Sequence, residues 1–423
     1  MSLEPSLFYL FIGRERKLEE ELSRVYERLR LFRLKDYREV VIEWGDGLNL
    51  YLASSPTSCM MVEDKKVFYI DCYPIELSNL FQNILFNSSV KVFSMVLDNL
   101  DGFFSGFIID KDRVLFFRDH VGAIPIILKI DDRCLTSSSF SSVIGGGEHI
   151  PPGRIVEWKD NSLKVYRWYN RKLSFKDYIR DLSDILPHST SKYILEDSTI
   201  AFSGGLDSIL LAYSALKIGR KFTCITVGTP DSVDLEWAEE AASMLGIKLK
   251  KITLNRSLVE ELVNFLSPHL LKPSLMDLSL ASIFYIVALN SLGDLVVSGQ
   301  GADELFGGYY KYLKMASQKG LRYVEGCMMR DLLMLHKTNI ERDYLACTLA
   351  GKRFITPYLS RHLYDLATSI PIESKLIEEG KIIRKLVLKK VARSMGVPEK
   401  LVERPKKAAQ YSSGVLKLLR RIS

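Results

Sequence analysis

The stretch Ser203-Gly204-Gly205-Leu206-Asp207-Ser208 constrains this chain more than any other. Apolar Ile200, Ala201 and Phe202 precede it, and a helical-looking run from Ile209 to Ile218 follows, closed by Gly219. That order predicts a buried strand, a tight glycine turn and a helix N-terminus. Gly204 and Gly205 carry no side chain, so a ligand can come close to the backbone there. The N–H groups at the start of the helix favour phosphate, and Ser203 and Ser208 add hydroxyl donors. Asp207 is the unexpected member, because a carboxylate beside a phosphate repels it unless a cation lies between. Asp207 is therefore read as a ligand for Mg²⁺ that bridges phosphate oxygens. The plain structural alternative is a glycine-rich turn with a capping aspartate. The GxxxxGK[ST] pattern is absent, so transfer of a γ-phosphate is not expected.

The rest of the chain tells how that loop is mounted. At 423 residues it has room for two or three domains, and with 47% hydrophobic residues it can bury substantial cores. Residues 6–13 and the runs around 38–43, 48–53, 59–63 and 66–71 read as strands, 17–34 and 76–85 as helices. Further β-rich sequence follows, with turns at Gly102, residues 110–112 and Gly122, and strands at 154–158 and 163–168 after Pro151-Pro152-Gly153. A domain boundary is placed near residue 170, giving domains 1–170 and 171–423. Beyond it the pattern alternates: strands at 199–202, 221–227, 247–254 and 294–298, helices at 208–219, 234–245, 257–266 and 279–292. This is the rhythm of a doubly wound parallel α/β sheet. From Tyr309 onward the pattern is mostly helical.

The strand Leu295-Val296-Val297 runs into a second glycine loop, Ser298-Gly299-Gln300-Gly301-Ala302-Asp303-Glu304-Leu305-Phe306-Gly307-Gly308-Tyr309. Loops at the carboxyl ends of strands in such a sheet line one crevice. The two glycine loops would then face each other across a nucleotide, with Asp303 supplying a second carboxylate for Mg²⁺. A turn with Asp303 and Glu304 capping a helix is the plainer reading of the second loop taken alone.

SGGLDS resembles the pyrophosphate-binding loop of the PP-loop ATP pyrophosphatases, which cleave ATP between its α- and β-phosphates and adenylate a substrate. With SGQGADELFGGY downstream, the chain resembles the synthetase domain of the glutamine-dependent asparagine synthetases and their relatives, the β-lactam synthetases. Thr226-Val227-Gly228 is similar to the segment along the adenine; Asn339, Glu341, Arg342, Asp343 and then Arg353 to Leu359 are loosely similar to a later family stretch. Arg404-Pro405-Lys406-Lys407 resembles the basic segment whose lysine contacts pyrophosphate, with Lys406 the matching lysine and Lys407 the alternative. LDGFF, RDHVGAIP and PPG in the first domain resemble the family's glutaminase domain. The resemblance implies a C-terminal PP-loop sheet with added helices and an N-terminal α+β sandwich of the Ntn type, related to class II amidotransferases.

Two departures qualify it. A glutaminase domain of this type needs a cysteine nucleophile with a free α-amino group at the start of its first strand. Here residues 2 and 3 are Ser2 and Leu3, Tyr9 occupies the nucleophile's place if 6–13 is the first strand, and the first cysteine is Cys59. The oxyanion segment expected near residues 69–72 reads Tyr69-Ile70-Asp71-Cys72. The domain is therefore read as degenerate, a scaffold. The second departure is Gln300, where relatives carry glutamate or tyrosine; an amide donates and accepts hydrogen bonds but takes up no proton.

The resemblance implies an ATP-dependent amide-forming ligase. A carboxylate, taken to be the aspartate side chain, attacks the α-phosphorus, pyrophosphate leaves, and ammonia rather than glutamine displaces AMP. Asp207 and Asp303 would hold Mg²⁺. Ser203, Gly204, Gly205, Leu206 and Ser208 would grip the pyrophosphate, Lys406 would neutralise its charge, and Gln300 would face the acyl group. Ala201, Val227, Ser298 and Gly299 would meet AMP. Amidation or lactam closure of another carboxylate, and a PP-loop enzyme acting on nucleic acid, remain the alternatives; RNA binding with a steep salt dependence would mark the latter. The net charge of +7 is spread out, with its densest part at Lys381, Arg384, Lys385, Lys389, Lys390 and Arg393. A solvated helix face, an ATP site and nucleic acid are the readings of that cluster, in that order. Six scattered cysteines without a C-x-x-C pair speak against zinc and a disulfide framework. No apolar run reaches the roughly 18 residues of a membrane span and no signal peptide is visible, so a cytoplasmic protein is expected. A homodimer or an ammonia-supplying partner is compatible with this reading.

Overall fold

A computed structural model of the chain describes residues 7–13, 38–44, 48–55, 59–63, 65–74, 89–110, 112–131, 134–170, 177–404 and 413–422. The helices expected over 17–34 and 76–85, Ser2, Lys406 and Lys407 lie outside the described residues. The chain divides into two compact units. The first comprises residues 1–170 together with 267–272 and 339–349; the second comprises 171–266, 273–338 and 350–423.

The first unit holds two six-stranded sheets. Its strands are β1 (Phe8–Gly13), β2 (Arg38–Trp44), β3 (Leu48–Ser54), β4 (Cys59–Glu63), β5 (Lys66–Tyr73), β6 (Phe103–Asp110), β7 (Arg113–Arg118), β8 (Ile127–Asp131), β9 (Cys134–Ser138), β10 (Glu148–His149), β11 (Arg154–Lys159) and β12 (Ser162–Arg167). One sheet runs β10-β8-β9-β1-β3-β2 and the other β12-β11-β7-β6-β5-β4. Alternate residues point to one face of a strand. Phe8, Leu10 and Ile12 of β1 and Leu50 and Leu52 of β3 thereby share one core with Val67, Tyr69, Phe107, Ile109, Val114 and Phe116 of the other sheet. The unit is a β-sandwich, and β1 is buried along its whole length.

The motifs of this unit are used for folding. The buried Arg118 donates to the carbonyls of Ile124, Ile150 and Gly122 at 2.8, 3.1 and 2.7 Å. Burial pushes its pKa down to about 10, against the pull of Asp119 and Glu341. The Asp119 carboxylate accepts the N–H groups of Phe104, Val121, Gly122 and Ala123. A buried charge is tolerable when its hydrogen-bonding capacity is met in this way. The helix Glu341–Leu349 belongs to this unit. Glu341 Oε1 accepts the N–H and the hydroxyl of Ser141 at 2.7 and 2.6 Å, and Oε2 faces His149 Nε2 at 2.9 Å. Burial pushes the Glu341 carboxyl up, but His149 and Ser141 outweigh it and hold it below its ordinary range.

The second unit is α/β. Its sheet contains β13 (Ser198–Ala201), β14 (Phe222–Gly228), β15 (Leu249–Thr253), β16 (Leu295–Val297) and β17 (Arg353–Ile355), in the order β15-β14-β13-β16-β17. Every neighbouring pair is parallel. The run of strands goes one way from β13 through β14 to β15, then resumes on the other side of β13 with β16 and β17. The reversal makes the β13/β16 pair a topological switch point, with a crevice outside the carboxyl ends of these two strands. Among the described residues no helix is long and apolar enough to cross a membrane, and all six cysteines are free thiols.

Candidate active site

Both glycine loops emerge at the switch point. The first leaves β13 after Ala201, turns through Gly204 and enters the helix Leu206–Lys217, with Gly205 as its N-cap. Gly204 has φ +63°, the left-handed region that disfavours a side chain, and a Cβ there would stand 2.7 Å from the Trp237 carbonyl and 2.8 Å from Arg404 Nη1. Its glycine is thus needed for the turn and for packing on the helix Val233–Leu245. Gly205 has an ordinary backbone, and a Cβ there would stand 3.2 Å from Ser203 Oγ. The second loop leaves β16 and enters the short helix Ala302–Phe306. The two loops touch: a Cβ at Gly299 would stand 2.9 Å from Asp207 Cβ.

The contact brings Asp207 and Asp303 to one point. Lys385 Nζ pairs with both carboxylate oxygens of Asp207 and lies 2.6 Å from Asp303 Oδ1. The ammonium is 5% exposed and each carboxylate 19%. Lys385 immediately precedes the helix Leu386–Met395 and has φ +54°. Burial lowers its pKa, and Asp207 opposes the shift. Gly308 makes the arrangement sterically feasible, since an added Cβ would overlap both Asp303 Oδ1 and Lys385 Cε. Tyr358 Oη donates to the Asp207 carbonyl at 3.1 Å and so anchors the first turn of the helix. The N-cap of this helix is Gly205, and Asp207 lies in the first turn with its carboxylate on Lys385.

Glu304 points away from solvent. Burial raises its pKa, and Tyr309 Oη donates to Oε1 at 2.6 Å. Arg404 holds the other side of the first loop: Nη1 donates to the Ser203 carbonyl at 2.9 Å, and the guanidinium lies 4.5 Å above the Trp237 ring. Nη2 lies 3.7 Å from Asp234. Burial pushes the Arg404 pKa down to about 10, with Asp234 and Glu240 opposing.

The residues expected at a nucleotide divide as follows. Ala201 ends β13, Ser203, Gly204, Gly205, Leu206 and Ser208 lie on the first loop and its helix, and Ser298, Gly299 and Gln300 on the second loop. Val227 is buried near the end of β14, next to β13 in the sheet. Three hydroxyls are engaged by the loops themselves: Ser208 Oγ donates to the Gly205 carbonyl at 3.0 Å, Ser298 Oγ accepts the Gln300 N–H at 3.2 Å, and Ser203 Oγ accepts the Gly205 N–H at 3.3 Å. In the basic cluster Lys381 and Arg393 are exposed and Lys390 half-buried, as a solvated face requires, whereas Lys385 is buried on two carboxylates. Lys385, Tyr358 and Arg404 are the site residues that sequence reasoning missed. Lys385 and Arg404 stood in stretches singled out for their charge, but nothing in those stretches says which cation turns inward.

Comparison with known proteins agrees with this architecture. The asparagine synthase family model matches residues 196–323 and 314–422, together more than half the chain. A Methanocaldococcus jannaschii protein, provisionally named asparagine synthetase [glutamine-hydrolyzing] 1, is 31% identical over 60% of this chain and 53% of its own length. Asparagine synthetase B [glutamine-hydrolyzing] of Escherichia coli is 26% identical over 75% of this chain and 62% of its own. The asparagine synthetase [glutamine-hydrolyzing] of Asparagus officinalis is 27% identical over 75% of this chain and 58% of its own. The matched part of the chain thus spans between half and two thirds of these relatives. The matched region contains both glycine loops, their two carboxylates and the sheet that mounts them, and the chain belongs to the asparagine synthase family.

Proposed function

We propose that this protein is an ATP-dependent carbon–nitrogen ligase that adenylates a carboxylate, releases pyrophosphate and then transfers the acyl group to ammonia. The observation that carries the reading is the convergence of Asp207 and Asp303 on a single cation at the switch point, where two glycine loops meet. Two carboxylates around one positive charge, beside the N-terminus of the helix Leu206–Lys217, would suit Mg²⁺, with Asp207 and Asp303 as its protein ligands. The ammonium of Lys385 stands in for that ion. When bound there, Mg²⁺ supplies the positive charge that makes pyrophosphate a good leaving group.

The chain's own residues do the rest. The loop from Ser203 to Ser208 presents its N–H groups to the leaving pyrophosphate, and Arg404 holds that loop from behind through the Ser203 carbonyl. Tyr358 fixes the backbone at Asp207. Lys406 adds a positive charge to the leaving group, worth about 10²–10³ in rate for one well-placed donor. Ala201, Val227, Ser298 and Gly299 receive the AMP moiety, and Gln300 faces the acyl carbon, where its amide orients the substrates and moves no proton. The acceptor carboxylate is taken to be the aspartate side chain.

Ammonia is proposed to reach the acyl group without glutamine hydrolysis by this protein. Tyr9 is buried in β1, paired with Ala53 and Ser138 on either side. Tyr69 to Cys72 are buried within β5. Tyr9 lies within a strand and so has no free α-amino group and no thiol, and in β5 Tyr69 and Ile70 pair on both edges while Asp71 and Cys72 pair with β6. The decisive experiment is ATP–pyrophosphate exchange screened over amino acids and other carboxylic acids. Exchange that depends on one carboxylic acid supports adenylation. No exchange with any carboxylate, in the presence of tight RNA binding, would favour a nucleic-acid-modifying enzyme instead.

A further inference from the structure

We propose that Lys385 is the resident counter-ion of this site. Its ammonium holds the Asp207 and Asp303 carboxylates together when no nucleotide is bound, and it withdraws before a divalent cation binds there. The metal therefore enters with the nucleotide's phosphates and not alone. The proposal rests on the reading of Asp207 and Asp303 as metal carboxylates.

Three features carry it. The ammonium is in ion-pair contact with both carboxylates at once, 2.6 Å from Asp303 Oδ1 and on both oxygens of Asp207. It is more deeply buried than either carboxylate, 5% exposed against 19%, so the cation fills the space between them and is not a surface side chain resting on the rim. Its position is also built. Lys385 takes a left-handed backbone (φ +54°), its carbonyl accepts the Lys389 N–H at 2.9 Å in the helix that follows, and Gly308 leaves room for Lys385 Cε against Asp303. A lysine held in a disfavoured conformation beside a required glycine has been placed on these carboxylates by the fold.

The steric consequence follows from distances. Mg²⁺ sits about 2.0–2.1 Å from a carboxylate oxygen. An ion held by Asp207 and Asp303 would claim the volume now held by Nζ, and two like charges so close would repel strongly. Free Mg²⁺ must displace the ammonium using only two carboxylates and water. A nucleotide-bound ion brings phosphate oxygens as further ligands, and phosphate also offers the displaced ammonium a new partner. Lys385 thus lowers the affinity for free metal and couples metal entry to nucleotide entry.

The test uses Mn²⁺ as probe, its free concentration followed by EPR, with the full chain at neutral pH. Without nucleotide, wild-type protein should take up Mn²⁺ weakly, Lys385→Gln should bind it about tenfold more tightly or better, and Lys385→Arg, which keeps a cation, should stay weak. With α,β-methylene-ATP present, wild-type uptake should tighten and the gap to Lys385→Gln should narrow. Equal Mn²⁺ affinity of wild type and Lys385→Gln without nucleotide overturns the proposal. If Lys385→Gln does not fold, the wild type decides: uptake that does not depend on nucleotide overturns it, and uptake only with nucleotide supports it. Asp207→Asn and Asp303→Asn separate this from the reading beneath it. If neither variant weakens Mn²⁺ uptake with nucleotide, the metal assignment itself fails. If both weaken it while Lys385→Gln changes nothing, only the counter-ion role fails.

Discussion

Gly299→Ala tests whether the two glycine loops work as one site. The added methyl would lie 2.9 Å from Asp207 Cβ, and its next neighbours, the Asp207 carbonyl carbon and the Ser208 nitrogen, are 3.5 Å away. Carbon atoms in contact prefer about 3.5–4.0 Å, so the loops must separate by roughly 0.6–1 Å. Overpacking of that size costs about 1–3 kcal/mol of stability. The functional cost should be larger, because a displacement near 1 Å between catalytic groups can cost about 10²-fold in rate. The expected result is a fall of about 10²-fold in pyrophosphate exchange with the protein still folded. Gly246→Ala is the control. Gly246, unlike Gly299, has positive φ (+65°); it ends the helix Val233–Leu245, and a Cβ there meets nothing within 4 Å. It should lose about 1 kcal/mol of stability and keep wild-type exchange. Circular dichroism and thermal melting read the fold, and labelled-pyrophosphate exchange reads the chemistry. If Gly299→Ala exchanges at the wild-type rate, the loops do not act together and the adenylation site lies elsewhere.

Asp207→Asn and Asp303→Asn should each abolish exchange at limiting Mg²⁺ while the protein still melts cooperatively; near-normal exchange by either removes that residue from the metal site. Gln300→Glu should change product formation more than exchange, because the carboxylate it introduces can accept a proton at the amination step; equal changes in both would put residue 300 on the nucleotide side. Supplied with ATP, Mg²⁺ and aspartate near pH 8, the protein should form amide and AMP with ammonium. Glutamate release from glutamine by the pure protein would show that the first unit is catalytically active. Tyr309→Phe should cost about 1–3 kcal/mol, since it strips the buried Glu304 of its hydroxyl partner, and a melting temperature equal to wild type would show that Glu304 finds another donor.

The positions that sequence made legible are those where local chemistry decides the structure. SGGLDS and SGQGADELFGGY announce strand–turn–helix junctions, and alternation of strand and helix patterns gave the parallel sheet, so the switch point followed. RDHVGAIP read as turn chemistry, and Asp119 and Arg118 do close that turn. What was not legible depends on distant partners. Strand β17 is three residues long amid helical sequence and becomes a strand by pairing with β16. The helix Tyr178–Tyr193 contains Pro187 and a polar His188-Ser189-Thr190-Ser191 run, which mask its helical character, yet Leu182, Leu186 and Tyr193 are buried. Helix Glu341–Leu349 joins the first unit through Glu341 and Ser141, 200 residues apart in sequence. Lys385 meets Asp207 across 178 residues, and its left-handed backbone is not a conformation that lysine advertises.

The charge of the site argues that the ammonium cannot take the metal's place in the reaction. Asp207 and Asp303 against Lys385 leave one net negative charge in a partly buried crevice. Burial raises the pKa of neighbouring Glu304, against the hydrogen bond from Tyr309 and the charge of Lys385. A triphosphate approaching such a site is repelled, and in surroundings of low effective dielectric that repulsion is felt over several ångströms. On the proposed reading, a divalent ion on the two carboxylates would bring the balance to neutrality, and the displaced ammonium would turn the site positive. The same lysine would then stabilise the empty site and, once displaced, favour the nucleotide. An enzyme lacking it would hold free metal more tightly and gain less from metal when it binds nucleotide.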